Sequence, residues 1–70
     1  MTATKHIAAY DIVELTETVE NAPAGARGGV LDLFAGNKAM IEITSMPGEM
    51  DIDRIVVAPL EKLRVVDPAP

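Results

Sequence analysis

Between Ala24 and Phe34 a glycine-rich bend runs straight into an apolar strand. The order is Ala24-Gly25-Ala26-Arg27-Gly28-Gly29, then Val30-Leu31-Asp32-Leu33-Phe34. Glycine reaches positive φ without a steric penalty and lets another backbone come close. Gly25, Gly28 and Gly29 therefore read as a structural turn, and Val30 to Phe34 as the strand it launches. The residues before this stretch read as one strand and a loop, and those after it as the rest of a small sheet.

Taken in order, residues 1–9 form an N-terminal tail in which Ile7 is the single large apolar residue. Strand character begins at Tyr10 and runs to Thr16. Val13 and Leu15 stand two apart and face a core, while Ile12, Glu14 and Thr16 face away. Glu17 to Pro23 is loop, with Val19 placed to pin it down. After the strand at Val30 to Phe34, Ala35-Gly36-Asn37-Lys38 is a tight hairpin turn, because Gly36 and Asn37 tolerate positive φ. Ala39 to Thr44 is a third strand with Ile41 and Ile43 on one face. Pro47-Gly48 fits the centre of a type II turn. A fourth strand spans about Asp51 to Val57. Pro59-Leu60-Glu61-Lys62 is one helical turn opened by proline. Leu63 to Val66 is the last strand, and residues 67–70 are a proline-stopped tail.

Five short strands with one helical turn before the last predict an all-β fold. Closing so small a sheet on itself removes its edges, so the expected architecture is a five-stranded SH3-like barrel over residues 10–66. Seventy residues hold one domain, and a chain this short buries only about 60% of its unfolded surface. There is no Cys to add a disulfide or a thiolate zinc site. Yet 49% of the residues are hydrophobic, which is high for a body that is mostly surface and suggests that a partner completes the burial.

Charge and pattern then limit the chemistry. The net charge of −5 and 3% aromatic content lack the basic patch and stacking platforms of nucleic-acid binding. Arg27, Arg54 and Arg64 are expected to pair with neighbouring acids. The glycine stretch matches neither the P-loop spacing nor the dinucleotide fingerprint, and it opens a strand where both of those open a helix. Glu14, Glu17 and Glu20 gather near the first loop, and Glu49, Asp51 and Asp53 around the fourth strand. Their spacing is not that of a calcium loop, and a solvated acidic surface is expected. His6 stands in the tail with no nucleophile motif near it. No catalytic residue, metal site or cofactor is expected. No apolar run approaches the roughly 18 residues of a membrane span, the N-terminus lacks a signal-peptide core, and a cytoplasmic location is expected.

The strands carry more apolar residues than one face of a barrel can bury. Ile12, Leu31, Leu33, Met40, Val56 and Val66 alternate with other core candidates, and Met46 and Met50 flank the Pro47-Gly48 turn. Contiguous exposed apolar area marks a protein interface, and methionine adapts to one. Ile12, Leu31, Leu33, Met40, Met46, Met50 and Val56 are therefore the interface candidates. The alternative is that loops and the terminal segment, including Ile7 and Val19, cover them. Gly25, Gly28, Gly29, Gly36 and Gly48 are assigned to structural turns.

Four blocks in order, Asp11-Ile12-Val13-Glu14-Leu15-Thr16-Glu17, Ala24-Gly25-x-x-Gly28-x-Val30, Ile41-Glu42-Ile43 and Leu63-Arg64, resemble a family of small uncharacterised bacterial proteins, a domain of unknown function. The resemblance implies the SH3-like barrel. Ala26 replaces the family's usual Asp after the first glycine, which removes a polar group that could hold the turn. Ile43 replaces its usual aromatic, which thins the core. The glycine turn is also similar to that of KOW-type domains and of the small barrel in the nitrile hydratase β subunit, a likeness of architecture that does not fix function. The expected role is a non-catalytic protein-interaction module that binds a cognate partner or itself, in the manner of a small antitoxin, immunity protein or accessory subunit. A KOW-like nucleic-acid or ribosome-associated module is the alternative, and a small carboxylate-based enzyme or enzyme subunit a second one.

Overall fold

The computed structural model describes residues 7–46 and 49–68, without the side chains of residues 49–53. Five antiparallel strands form one sheet: β1 (Ile12–Leu15), β2 (Arg27–Phe34), β3 (Lys38–Met46), β4 (Glu49–Pro59) and β5 (Leu63–Asp67). A 3₁₀ turn, Leu60–Lys62, sits directly before β5. The fold is thus all-β, with the helical turn where the sequence places it. The strand order is β4-β3-β2-β1-β5, a meander whose last strand returns to lie beside the first. Among the described residues β4 and β5 are the two edges of the ladder, and no pairing closes it into a ring.

Register decides which side chains share a face, because residues directly opposite in an antiparallel pair project to the same side. Val30, Ile41 and Val56 stand opposite one another across β2, β3 and β4, and all three are buried. Val13 faces Val65 on one side and Gly28 on the other, and Gly28 faces Ile43. Leu15 faces Leu63. These rows make the core face, and Ala39 and Ala58 continue it toward the β2–β3 hairpin. Ile7 and Val19 pack over the core from outside the sheet. Ile7 therefore belongs to the core, although the sequence places it in a tail with no period of its own.

The connection from β1 to β2 forms the cover. Val19 and Ala22 exchange both backbone hydrogen bonds, at 2.9 and 2.8 Å, which folds the loop tightly and lets Val19 be buried. Arg54 of β4 donates to the carbonyl of Asn21 at 3.3 Å, tying this loop to the far side of the sheet. The Ala26 amide donates to the Pro23 carbonyl at 3.1 Å, and Gly25 has φ +94°. The bend is thus a turn over residues 23–26 with Gly25 at the position that demands positive φ.

Gly28 and Gly29 lie past that turn, inside β2, so their assignment to the turn is corrected. A Cβ on Gly28 would fall 2.8 Å from the carbonyl carbon of Glu42 and 2.9 Å from Cα of Ile43. The backbone of β3 occupies the space where a side chain would stand, beside a register shift between Arg27 and Gly28. Gly29 faces the other way and has room. At the hairpin tip Gly36 (φ +85°) and Asn37 (φ +63°) adopt the left-handed conformations expected of them. Gly48 lies outside the described residues. Among the described residues no helix is long and apolar enough to cross a membrane.

Candidate functional site

The outer face of the sheet is built from the residues that alternate with the core. One row runs Ile12, Gly29, Glu42, Ile55 across β1, β2, β3 and β4. The next row along carries Met40 opposite Val57. Ile12, Ile55 and Val57 are exposed and Met40 is half-buried. Ile55 is the most open of them at 58%. Neighbouring strands are about 4.8 Å apart, so Ile12 and Ile55 stand roughly 14–15 Å apart across the row. Gly29 leaves a bare strip between them: its missing Cβ would lie 3.8 Å from Cδ1 of Ile12. The result is an apolar patch interrupted by two acids, Glu42 in the first row and Asp32, opposite Met40, in the second.

One row away the outer face is charged. Glu14 stands between Arg27 on β2 and Arg64 on β5, directly opposite both. Its Oε1 accepts a hydrogen bond from Arg64 Nη2 and lies 3.9 Å from Arg27 Nη2. The Glu14 side chain is largely covered, at 18% exposed, while both arginine side chains are about half open (52% and 53%). Glu17 pairs with Lys62 at 3.6 Å, which tethers the loop to the 3₁₀ turn. Asp11 is buried, and its Oδ2 accepts from the Ala8 amide at 2.9 Å. Arg27 and Arg64 thus pair with an acid as the sequence predicts, both through Glu14, which is drawn off the solvated acidic surface expected of it, whereas Arg54 donates to the Asn21 carbonyl instead. Among the described residues, no three His, Cys, Asp or Glu side chains gather where they could hold a metal ion. The side chains of Asp51 and Asp53 lie outside the described residues, and so does His6.

The seven interface candidates separate clearly. Ile12 is on the outer face as expected, and Met40 lies on it half-buried. Leu31 and Leu33 are both exposed (40% and 41%), for a reason that alternation does not supply. A bulge between Val30 and Asp32 shifts the register. Leu33 then stands opposite buried Ala39, at the rim where the core gives out. Every residue from Leu31 to Lys38 is exposed, so the β2–β3 hairpin projects past the core with Leu31, Leu33 and Phe34 on it. Met46 and Val56 are corrected: both are buried, at 8% and 2%. Val56 is held inward by Ile41 opposite it. Met46 closes the end of the core beside the β3–β4 connection. The side chain of Met50 lies outside the described residues.

Sequence reasoning missed Ile55 and Val57, which hold the outward positions it gave to Val56. One signal was available: Asp51, Asp53, Ile55 and Val57 share one parity along β4, and charged residues favour the solvent side of a half-buried strand. Tyr10 was also passed over. It is 74% exposed and has φ +74°, while its amide donates to the Val30 carbonyl at 2.7 Å. Comparison with protein-family models, with curated proteins and with solved structures finds no match to this chain.

Proposed function

We propose that this chain is a non-catalytic protein-binding module that works through the outer face of its sheet. The observation that carries the reading is the apolar patch of Ile12, Met40, Ile55 and Val57 around the bare Gly29. A sheet face set against water ordinarily alternates to polar residues, and exposed apolar side chains gathered there, with Glu42 and Asp32 among them, favour a protein partner. Arg27 and Arg64 converge on Glu14, which takes up part of the positive charge that a phosphate backbone would need. The acidic net charge of −5 suits a partner with a basic rim. A small accessory, immunity or antitoxin-type protein fits these features. The resemblance to the small bacterial domain family belongs to the same proposal, because its blocks fall on β1, on the turn and β2, on β3 and on β5.

The test is capture from native extract with the tagged chain, beside a variant carrying Ile12→Lys and Met40→Lys. The wild-type chain retains a partner saturably, and the variant retains at least about tenfold less at an unchanged circular-dichroism spectrum, a loss of about 1.4 kcal/mol. Equal retention by both proteins refutes the outer face as the binding surface.

A further inference from the structure

We propose that Glu42 receives an arginine side chain of the partner and thereby sets which partner the outer face accepts. Glu42 lies on β3 between bare Gly29 of β2 and exposed Ile55 of β4. It is half-buried, on an inner strand of the sheet. A carboxylate in that position gives up part of its hydration, which costs free energy unless an opposite charge or a hydrogen bond replaces the water.

Among the described residues the chain supplies neither. No Lys or Arg pairs with Glu42, and no side-chain hydrogen bond reaches it. The cations nearby are committed elsewhere. Arg27 and Arg64 converge on Glu14, Arg54 donates to the Asn21 carbonyl, and Lys62 pairs with Glu17. Lys38 stands four residues back along β3, about 13 Å away. Asp32, the other acid of the patch, differs from Glu42, because its Oδ1 already accepts from the Leu33 amide at 2.8 Å. Glu42 is the acid left for a group from outside.

Its surroundings select the kind of cation. Gly29 has no side chain, and Cδ1 of Ile12 lies 3.8 Å from where one would begin. A long side chain crossing Gly29 lays its methylene stem against Ile12 and brings its charged head to Glu42. A guanidinium suits this place better than an ammonium, because it is flat, weakly hydrated and able to meet a carboxylate with two parallel hydrogen bonds. The net charge of −5 draws such a segment in. The occupant is therefore a partner segment with an arginine among apolar residues. This deepens the protein-binding reading and rests on it.

The probe is a soluble peptide that alternates serine with leucine and carries one arginine on the leucine face. Beside it stands the same peptide with citrulline, the neutral isostere, in place of arginine. Each is titrated into the full chain, with amide shifts followed by heteronuclear NMR. The arginine peptide is expected to bind at least about tenfold tighter than the citrulline peptide, with the Gly29, Glu42 and Ile55 amides shifting. In Glu42→Gln the two peptides fall within about twofold of each other, whereas Asp32→Asn, which removes one charge from the same face, keeps the arginine preference. No binding of the arginine peptide up to millimolar concentration overturns the proposal, as does an arginine preference that survives in Glu42→Gln or is lost equally in Asp32→Asn. The peptide comparison and its shift map are made on the wild-type chain, so they decide the question even if Glu42→Gln fails to fold. Equal binding of both peptides at the same amides would refute the role of Glu42 and leave the outer-face reading standing. Partner capture unaffected by Ile12→Lys/Met40→Lys would refute that reading itself.

Discussion

Replacing Gly28 with alanine drives a methyl group into the backbone of β3. The added carbon would stand 2.8 Å from the carbonyl carbon of Glu42 and 2.9 Å from Cα of Ile43, well inside the 3.5–4.0 Å of a comfortable carbon–carbon contact. No side-chain rotation relieves this, because both neighbours are main chain. One strand must move away, and Ile43 and Val30 on the same core face move with it. Overpacking of this kind costs about 1–3 kcal/mol, and the backbone clash sets Gly28→Ala at the upper end, about 3 kcal/mol. A domain of this length holds roughly 3.5–10 kcal/mol in all. At about 4–8 °C per kcal/mol, the melting temperature falls by about 12–24 °C. Gly29→Ala, one residue on, has the opposite sign. Its new methyl meets only Cδ1 of Ile12 at 3.8 Å, and Gly29 is not among the positive-φ glycines. Restricting the unfolded chain then gains about 0.4–1 kcal/mol. Thermal unfolding followed by circular dichroism reads both. A Gly28→Ala midpoint within a few degrees of wild type would refute the close approach of β3. Equal losses in the two variants would return both glycines to a shared role in the turn.

Three further outcomes rest on the packing. Val56→Ala removes buried volume opposite Ile41 and costs about 2 kcal/mol in urea unfolding, whereas Ile55→Ala, on the open face, changes stability by under about 0.5 kcal/mol; equal effects would mean that the pleat of β4 is reversed. Glu14→Gln leaves Arg27 and Arg64 beside each other without their shared carboxylate and costs about 0.5–1 kcal/mol at low ionic strength, a loss that shrinks in molar salt because both guanidinium groups are half in solvent; a salt-independent loss would point to packing as the cause. Leu31→Glu and Leu33→Glu each leave the domain folded, with losses below about 1 kcal/mol in the same unfolding assay, because the hairpin projects past the core; collapse of either variant would show that residue to be buried by its own fold.

Much of the architecture is legible from local chemistry. Val13 and Leu15, and Ile41 and Ile43, alternate with polar neighbours, so their inward direction follows from the two-residue period of a strand. Gly25, Gly36 and Asn37 mark turns because each must hold a left-handed backbone. The 3₁₀ turn after Pro59 is equally local. These are short-range constraints, and the number of strands, their order along the chain and the all-β class all derive from them.

Tertiary pairing decided the rest. In Ile55-Val56-Val57 both faces are apolar, and the charges before it point both ways: Asp51 and Asp53 share the parity of Ile55, Arg54 that of Val56. The phase came from Ile41 standing opposite Val56, a contact fifteen residues away in the chain. The same holds for the glycines. Gly28 and Gly29 are indistinguishable as a dipeptide, and only the path of β3 past Gly28 makes one obligatory and the other replaceable. Leu31 and Leu33 are exposed through a bulge and a core that ends at alanines, neither of which can be read from β2 alone. The chain determined where it bends and where it extends. Which side of each extended segment meets water was set by the strand that came to lie beside it, because burial of a strand residue depends on the neighbour opposite as much as on its own side chain.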